Sequence, residues 1–266
     1  MKYLDEIVCK ECISFMKELP DNCIDLTMTS PPYDNLRDYN GFMLDCENII
    51  HELYRITAKG GVVVWVVGDA IKKGNKTLTS FKQALMFQNA GFNMHDVMIY
   101  KKKNTPFMRS NAYTNCFEFM FVASKGSPKT FNPLKEPTKR NGYEMLVCNK
   151  KADGINHKVL KELKKEKTRN NIWEYAVGLG GSTSDKNAFK HPAIFPEKLA
   201  SDHILSWTNK DDIVFDPFMG SGTTAKMAKV NRRRYIGCDI SAEYVEIAKK
   251  RVADTIPQAN LFQEIE

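Results

Sequence analysis

The stretch Ile213-Val214-Phe215-Asp216-Pro217-Phe218-Met219-Gly220-Ser221-Gly222-Thr223-Thr224 decides the fold. It reads as a short apolar strand, a glycine-rich loop and the opening of a helix over Thr223 to Lys229. Gly220 and Gly222 lack a Cβ, so the loop backbone can come close to a ligand. A second strand follows at Tyr235 to Cys238, and Asp239 stands at its end, seventeen residues past Gly222. An acidic residue there commonly accepts hydrogen bonds from ribose hydroxyls. The loop is not G-x-G-x-x-G, because Ala225 occupies the third glycine position. It is not a P-loop either, because no G-K-[ST] follows. A lone G-x-G says little, but between two strands and followed by Asp239 it points to an adenosine-containing cofactor.

Working outward, the pattern of alternating strands and helices continues on both sides. A helix is expected over Pro196 to Trp207 and another over Ala242 to Val252. In the N-terminal half, Ile24 to Thr29 reads as a strand and Phe42 to Thr57 as a helix, which Lys59-Gly60-Gly61 breaks. Val62 to Val67 is a continuous apolar, mostly β-branched run, as expected of a strand buried on both faces of a parallel sheet. Leu78 to Gln88 reads as a helix, Asn93 to Lys101 and Cys116 to Ser124 as strands. Such alternation implies β-α-β units and a sheet covered on both faces. From Lys125 to about Phe189 the periodicity dissolves. The expected organisation is therefore two halves of one α/β body, 1–124 and 190–266, around an irregular basic insert, 125–189.

A second loop carries chemistry at Thr29-Ser30-Pro31-Pro32-Tyr33. Two prolines after a strand stop both ladder pairing and helix formation. The loop sets a Ser hydroxyl, a backbone carbonyl and an aromatic face at a strand tip, where open α/β sheets bind ligands. A flipped base stacked on Tyr33 would give its amino hydrogens to Ser30 and the Pro31 carbonyl. Read alone, the same four residues are also an ordinary turn.

Composition bounds the answer. The chain has 266 residues, a net charge of +7, 27% charged and 42% hydrophobic residues. That supports a sizeable core and excludes long disorder. The longest apolar run, Val62 to Val67, is far short of the ~20 residues of a spanning helix. The N-terminus has no apolar stretch of the signal-peptide kind, so a cytoplasmic location is expected. Seven cysteines, an odd number, suit free thiols. Cys9 and Cys12 form one C-x-x-C without a second pair, so two plain thiols at a strand end is the better reading and no metal is expected. The charge is concentrated: residues 135 to 169 hold eleven basic and five acidic residues, six of the seven net charges. That is the footprint of a polyanion partner, although Val159 to Lys167 also fits a solvated, lysine-rich amphipathic helix.

Taken together, the two loops resemble the DNA amino-methyltransferases, which methylate exocyclic nitrogens of adenine or cytosine from S-adenosylmethionine. The catalytic signature of that family, [DNS]-P-P-[YFW], is matched by Ser30-Pro31-Pro32-Tyr33, and its F-x-G-x-G by Phe218-Met219-Gly220-Ser221-Gly222. The catalytic loop comes first, as in the permuted β class, and the resemblance covers about residues 3–125 and 190–252. Cys9 to Cys12 with Leu19-Pro20-Asp21, His191 to Pro196, and Ile236 to Ile240 with Tyr244, Ala248 and Arg251 match further segments. One departure is Lys10-Glu11, where the family has Gly-Asp.

The resemblance implies a Rossmann-like methyltransferase fold with a mostly parallel seven-stranded sheet in permuted order. It implies catalysis by Ser30, Pro31, Pro32 and Tyr33, and a cofactor site made by Glu11, Asp216, Phe218, Gly220, Ser221, Gly222, Thr223, Asp239, His191 and Phe195. It places target recognition in the insert, so Lys139, Arg140, Lys161, Lys164 and Lys165, with Arg109 upstream, are the expected contacts to double-stranded DNA. Ser at the first position favours cytosine N4 as acceptor, with adenine N6 the alternative. An RNA methyltransferase and a non-catalytic DNA-binding relative are the rivals. A restriction endonuclease partner and a homodimer are compatible with the family and are not decided by the sequence.

Overall fold

A computed structural model describes every residue except 33–43, 106–109, 141, 149–153, 155–156, 186–187, 189–193 and 258–266. The N-terminal half runs β1 (Glu6–Cys9), α1 (Cys12–Met16), β2 (Ile24–Thr29), α2 (Cys46–Ile56) and β3 (Thr57–Val67). It continues with a small hairpin of β4 (Ile71–Lys72) and β5 (Asn75–Lys76), then α3 (Thr79–Asn89), β6 (Asn93–Lys102) and β7 (Phe117–Ser124). Four short or exposed strands follow: β8 (Lys135–Pro137), β9 (Gly142–Cys148), β10 (His157–Leu163) and β11 (Glu166–Thr168). The rest is β12 (Ile172–Tyr175), α4 (Glu197–Trp207), β13 (Ile213–Asp216), α5 (Thr223–Val230), β14 (Arg234–Asp239) and α6 (Ala242–Ala253).

Eight strands form the main sheet in the order β1-β14-β13-β2-β3-β7-β6-β12. All neighbouring pairs are parallel except β3 with β7 and β7 with β6. The valine run is the middle of this sheet. Val63, Trp65 and Val67 point into a core shared with α1, α2 and α3, and Val62, Val64 and Val66 are buried on the opposite face. The indole N–H of Trp65 donates to Gln83 Oε1 at 2.8 Å, which satisfies the one polar atom the ring buries. A second core, of Ile7, Met219, Ala225, Val245, Ala248 and Val252, lies under α5 and α6.

Three expectations need correction. The sheet has eight strands, because Ile172-Trp173-Glu174-Tyr175 pairs with β6 and buries Trp173 and Tyr175. Lys59-Gly60-Gly61 is not what ends α2, which stops at Ile56. It lies inside β3, where Gly60 takes φ +73° and a Cβ there would meet Lys129 at 2.8 Å. The stretch Val159 to Lys167 is not a helix but parts of β10 and β11, each paired antiparallel with a partner strand. Strand pairing across the chain overrides local helix propensity there.

The chain divides into two compact units. The larger holds 1–132 and 171–266, the smaller Pro133–Asn170. The smaller unit consists of two two-stranded sheets, β9 with β10 and β8 with β11. It is narrower than the 125–189 expected from composition, since residues beyond 170 contribute β12 to the main sheet.

Candidate active site

Strands β1, β14, β13 and β2 are consecutive and parallel, so their carboxyl ends lie side by side along one edge of the sheet. Each is followed by one of the loops singled out in the sequence. Both ends of the chain thus supply one row of loops.

β2 ends at Thr29 and runs into Ser30-Pro31-Pro32, which adopt neither helix nor strand. Pro31 is buried, and Ser30 and Pro32 are half-buried. Tyr33 lies outside the described residues. Next to this tip, β13 ends at Asp216, whose carboxylate is fully buried. Thr29 Oγ1 donates to Asp216 Oδ1 at 2.6 Å, and the Phe218 backbone N–H donates to the same oxygen at 3.0 Å. Thr224, in the first turn of α5, donates to the Met28 carbonyl at 3.0 Å. The Ser-Pro-Pro loop and the glycine loop are therefore joined by two buried hydrogen bonds, one from Thr29 to Asp216 at the head of both loops and one from Thr224, just past the glycine loop, to Met28. Burial pushes the Asp216 carboxyl up to about 6. The hydrogen bonds from Thr29 and Phe218 oppose that shift, and the charge of Asp239 adds to it.

The glycine loop turns on itself through Gly222 N–H to the Met219 carbonyl at 2.8 Å. Gly222, in the left-handed region at φ +82°, is the residue before α5, and a Cβ on it would lie 2.7 Å from the Ala248 Cβ. Its missing side chain thus admits α6, a packing role in addition to the approach to a ligand expected from the sequence. Asp239, at the tip of β14, accepts from Gly220 N–H on Oδ2 at 2.8 Å and from Ser241 N–H on Oδ1 at 2.9 Å. Each carboxylate oxygen can take a further donor, because it has two lone pairs. Phe218 is half-buried, its ring edge-on to Trp65 with centroids 6.1 Å apart.

At the tip of β1, Glu11 is the N-cap of α1. Its carboxylate accepts from Ile13 N–H and Ser14 N–H, both at 2.8 Å. Partial burial pushes its pKa up, but these backbone donors together outweigh burial and hold it below the ordinary value. Cys9 and Cys12 flank it. Cys12 is buried, which pushes its thiol up, and no group of three metal-ligating side chains occurs among the described residues.

The support for the loop was not legible in the sequence. Arg251 on α6 is 2% exposed and donates to the Ser221 carbonyl and, at 3.1 Å, to Ser221 Oγ. It also pairs with Asp185 at 2.7 Å and with Glu197 at 2.7 Å. Glu197 in turn receives Thr183 Oγ1 at 2.8 Å and Lys226 Nζ at 2.7 Å. The hydroxyls of Ser221 and Thr223 are buried on this guanidinium side. In the sequence Arg251 stands out only as part of the segment that resembles the end of the family's cofactor domain, and its partners Ser221, Asp185 and Glu197 are not announced there.

Of the other expected site residues, Phe195 is half-buried just before α4. His191 and Arg109 lie outside the described residues. Lys139, Arg140, Lys161, Lys164 and Lys165 are exposed in the smaller unit, where Arg140 donates to Glu144 at 2.9 Å.

This is the arrangement of a class of α/β methyltransferases, and the comparisons with known proteins identify the family. A DNA methylase family model matches residues 24–250, so the chain belongs to the DNA methylases, S-adenosylmethionine-dependent amino-methyltransferases acting at N6 or N4. The orphan methyltransferase M.BamHII of Bacillus amyloliquefaciens is 54% identical over 247 residues, spanning 91% of this chain and 93% of that protein. Among solved structures, the PvuII DNA methyltransferase, described as cytosine-N4-specific, superposes with a TM-score of 0.68 at 20% identity, covering 98% of this chain and 87% of its own. M1.HpyAVI in complex with SAM gives 0.59 at 24% identity, covering 92% and 98%. Among the described residues no helix is long and apolar enough to cross a membrane.

Proposed function

We propose that this DNA methyltransferase modifies the exocyclic amine of a flipped base at a specific site in duplex DNA, with cytosine N4 the preferred acceptor and adenine N6 the alternative. The observation that carries the choice is Ser30 at the head of Ser-Pro-Pro-Tyr, on a strand tip tied to the glycine loop through Thr29 and Asp216.

The chain's residues suit the cofactor of the family. Asp239 presents carboxylate lone pairs beside the glycine loop, and Phe218 offers an aromatic edge there. Glu11 is one strand further along, although two of its lone pairs serve α1. S-adenosylmethionine supplies a methyl group already activated on a sulfonium, so the protein needs no covalent intermediate. What the protein must overcome is the poor nucleophilicity of an amine conjugated to its ring. Ser30 and the Pro31 carbonyl, as fixed acceptors for the amine hydrogens, favour a pyramidal nitrogen and raise its electron density. This is stabilisation by preorganised dipoles. Tyr33 stacks on the base and holds it out of the helix. The amine proton passes to water, since a neutral Ser30 is a poor base.

The basic smaller unit supports duplex DNA as partner through phosphate contacts at Lys139, Lys161, Lys164 and Lys165, with Arg140 partly neutralised by Glu144.

Ser30→Ala is the test of the catalytic assignment. Cofactor affinity by calorimetry should stay within about twofold while the single-turnover rate falls by roughly 10²–10³. A near-normal rate would remove Ser30 from the mechanism. Mapping the modified base on treated DNA decides between cytosine and adenine. Asp239→Ala tests the cofactor assignment separately. It should weaken S-adenosylmethionine binding by about 1–3 kcal/mol, and unchanged affinity in the folded variant would release Asp239 from that role.

A further inference from the structure

The smaller unit is more than a basic surface. β9 and β10 pair antiparallel, with Tyr143 opposite Glu162, Glu144 opposite Lys161, Met145 opposite Leu160 and Leu146 opposite Val159. Residues directly opposite one another share a face. One face carries the half-buried Glu144, Leu146 and Leu163, with Val159 44% exposed and Lys161 exposed. The other carries Tyr143, Met145 and Leu160, which are 69%, 59% and 60% exposed, beside the exposed Lys158 and Glu162. Three large apolar side chains gathered on an open face mark an interaction surface.

The charge around that face identifies the partner. Six of the chain's seven net positive charges fall between residues 135 and 169, and Lys158, Lys161, Lys164 and Lys165 are all exposed. A membrane or an acidic protein could also answer to charge, but the shape favours nucleic acid. A two-stranded antiparallel ribbon has the width that the major groove of B-DNA admits. Apolar side chains can read base edges through the thymine methyl group, or wedge against a base step.

We infer that the Tyr143, Met145 and Leu160 face of the β9–β10 ribbon is the sequence-reading surface, seated in a groove of duplex DNA, while the neighbouring lysines hold phosphates. The inference rests on the reading of this chain as a DNA methyltransferase and deepens it by naming the specificity determinants. Phosphate contacts position a protein without conveying sequence, whereas contacts to base edges discriminate. The two sets of residues therefore have separable effects.

The test uses the full chain with Tyr143, Met145 and Leu160 all changed to Ser. These side chains are exposed, and S-adenosylmethionine binding by calorimetry reports that the larger unit is intact. Plasmid DNA is treated briefly, and the methylated positions are mapped by single-molecule sequencing. The expected result is a drop of about tenfold or more in the rate ratio between the preferred motif and its single-base neighbours. Affinity for unrelated duplex DNA and its salt slope should persist. Leu160→Ser alone should relax one position of the motif, which keeps the test decisive if the triple variant folds poorly. An unchanged motif and rate in both variants would overturn the inference. So would a uniform loss of affinity across all sequences with a flatter salt slope, because that makes the face a phosphate contact. If the unaltered protein methylates no DNA, the underlying assignment fails, and the ribbon reading with it.

Discussion

Two arginines show how differently the two units of this protein use the same chemistry. Arg251, in the larger unit, is buried, holds Asp185 and Glu197, and fastens the glycine loop through Ser221. Arg140, in the smaller unit, has a side chain 67% exposed and pairs with Glu144 four residues along. The first has given up its hydration and depends wholly on its partners, while the second keeps most of its water. The larger unit needs fixed geometry, because fixed dipoles at strand tips are what its chemistry requires. The smaller unit keeps its charges wet, so that they remain available to a charged partner.

The contrast can be broken most sharply at these arginines. Arg251→Leu strands two carboxylates, and removing one partner of a buried ion pair costs about 3–5 kcal/mol. Urea unfolding should show a loss of that size, with cofactor affinity reduced as well. Arg140→Leu should change stability by less than about 1 kcal/mol. Equal losses would mean that the two units are held together in the same way.

The next effect is a pH dependence confined to the larger unit. The Asp216 carboxyl is pushed up to about 6 from its ordinary 3.8, so the folded state binds its proton more tightly than the unfolded chain does. Its contribution to stability is therefore greatest below pH 3.8 and is lost as pH rises through about 6. Asp216→Asn removes the titration but keeps an oxygen for Thr29 and Phe218. Between pH 4.5 and 7.5 the wild type should lose about 2 kcal/mol more stability than the Asn variant. Parallel pH profiles for the two proteins would show that Asp216 is already ionised in the fold at the acid end.

The same division runs through what the sequence makes legible. Val62 to Val67 announces a strand covered on both faces, and Asp216 to Thr224 announces a strand, a loop and a helix, because local periodicity and glycine placement follow directly from the backbone. The neighbours of Asp216 are less visible. Thr29 lies 187 residues away, and only the order of β13 beside β2 brings it within hydrogen-bond distance. Arg251 meets Asp185 and Glu197 for the same reason. β12 escaped notice because four residues carry too little period, and its pairing with β6 spans some seventy positions. Gly60 and Gly61 look like a break because glycine usually is one. Here the close approach of Lys129 requires glycine within a strand. In the smaller unit, Val159 to Lys167 suits a helix by propensity, and only strands β8 and β9 make it extended.

The smallest effect on folding, and the one that sharpens the comparison most, belongs to the lysines. Lys161, Lys164 and Lys165 are exposed, and surface substitutions away from special features usually change stability by less than about 0.5 kcal/mol. Replacing all three with Gln should therefore leave the urea midpoint almost where it was, in contrast to Arg251→Leu. It should also spare S-adenosylmethionine binding, because the glycine loop belongs to the other unit. DNA affinity should respond instead. Each lysine that neutralises a phosphate releases counterions on binding, and removing one such lysine flattens the log–log dependence of affinity on salt by about 0.9 for duplex DNA. If all three lysines hold phosphates, the triple variant should flatten the slope by about 2.7 and bind more weakly, most of all at low salt. Titrations of labelled duplex at several salt concentrations measure both quantities at once. If slope and affinity match the wild type, these lysines form a merely solvated surface, and the search for the phosphate-binding residues moves to Lys101, Lys102 and Lys103 on the larger unit, of which Lys101 already pairs with Glu174 and Lys102 with Glu118.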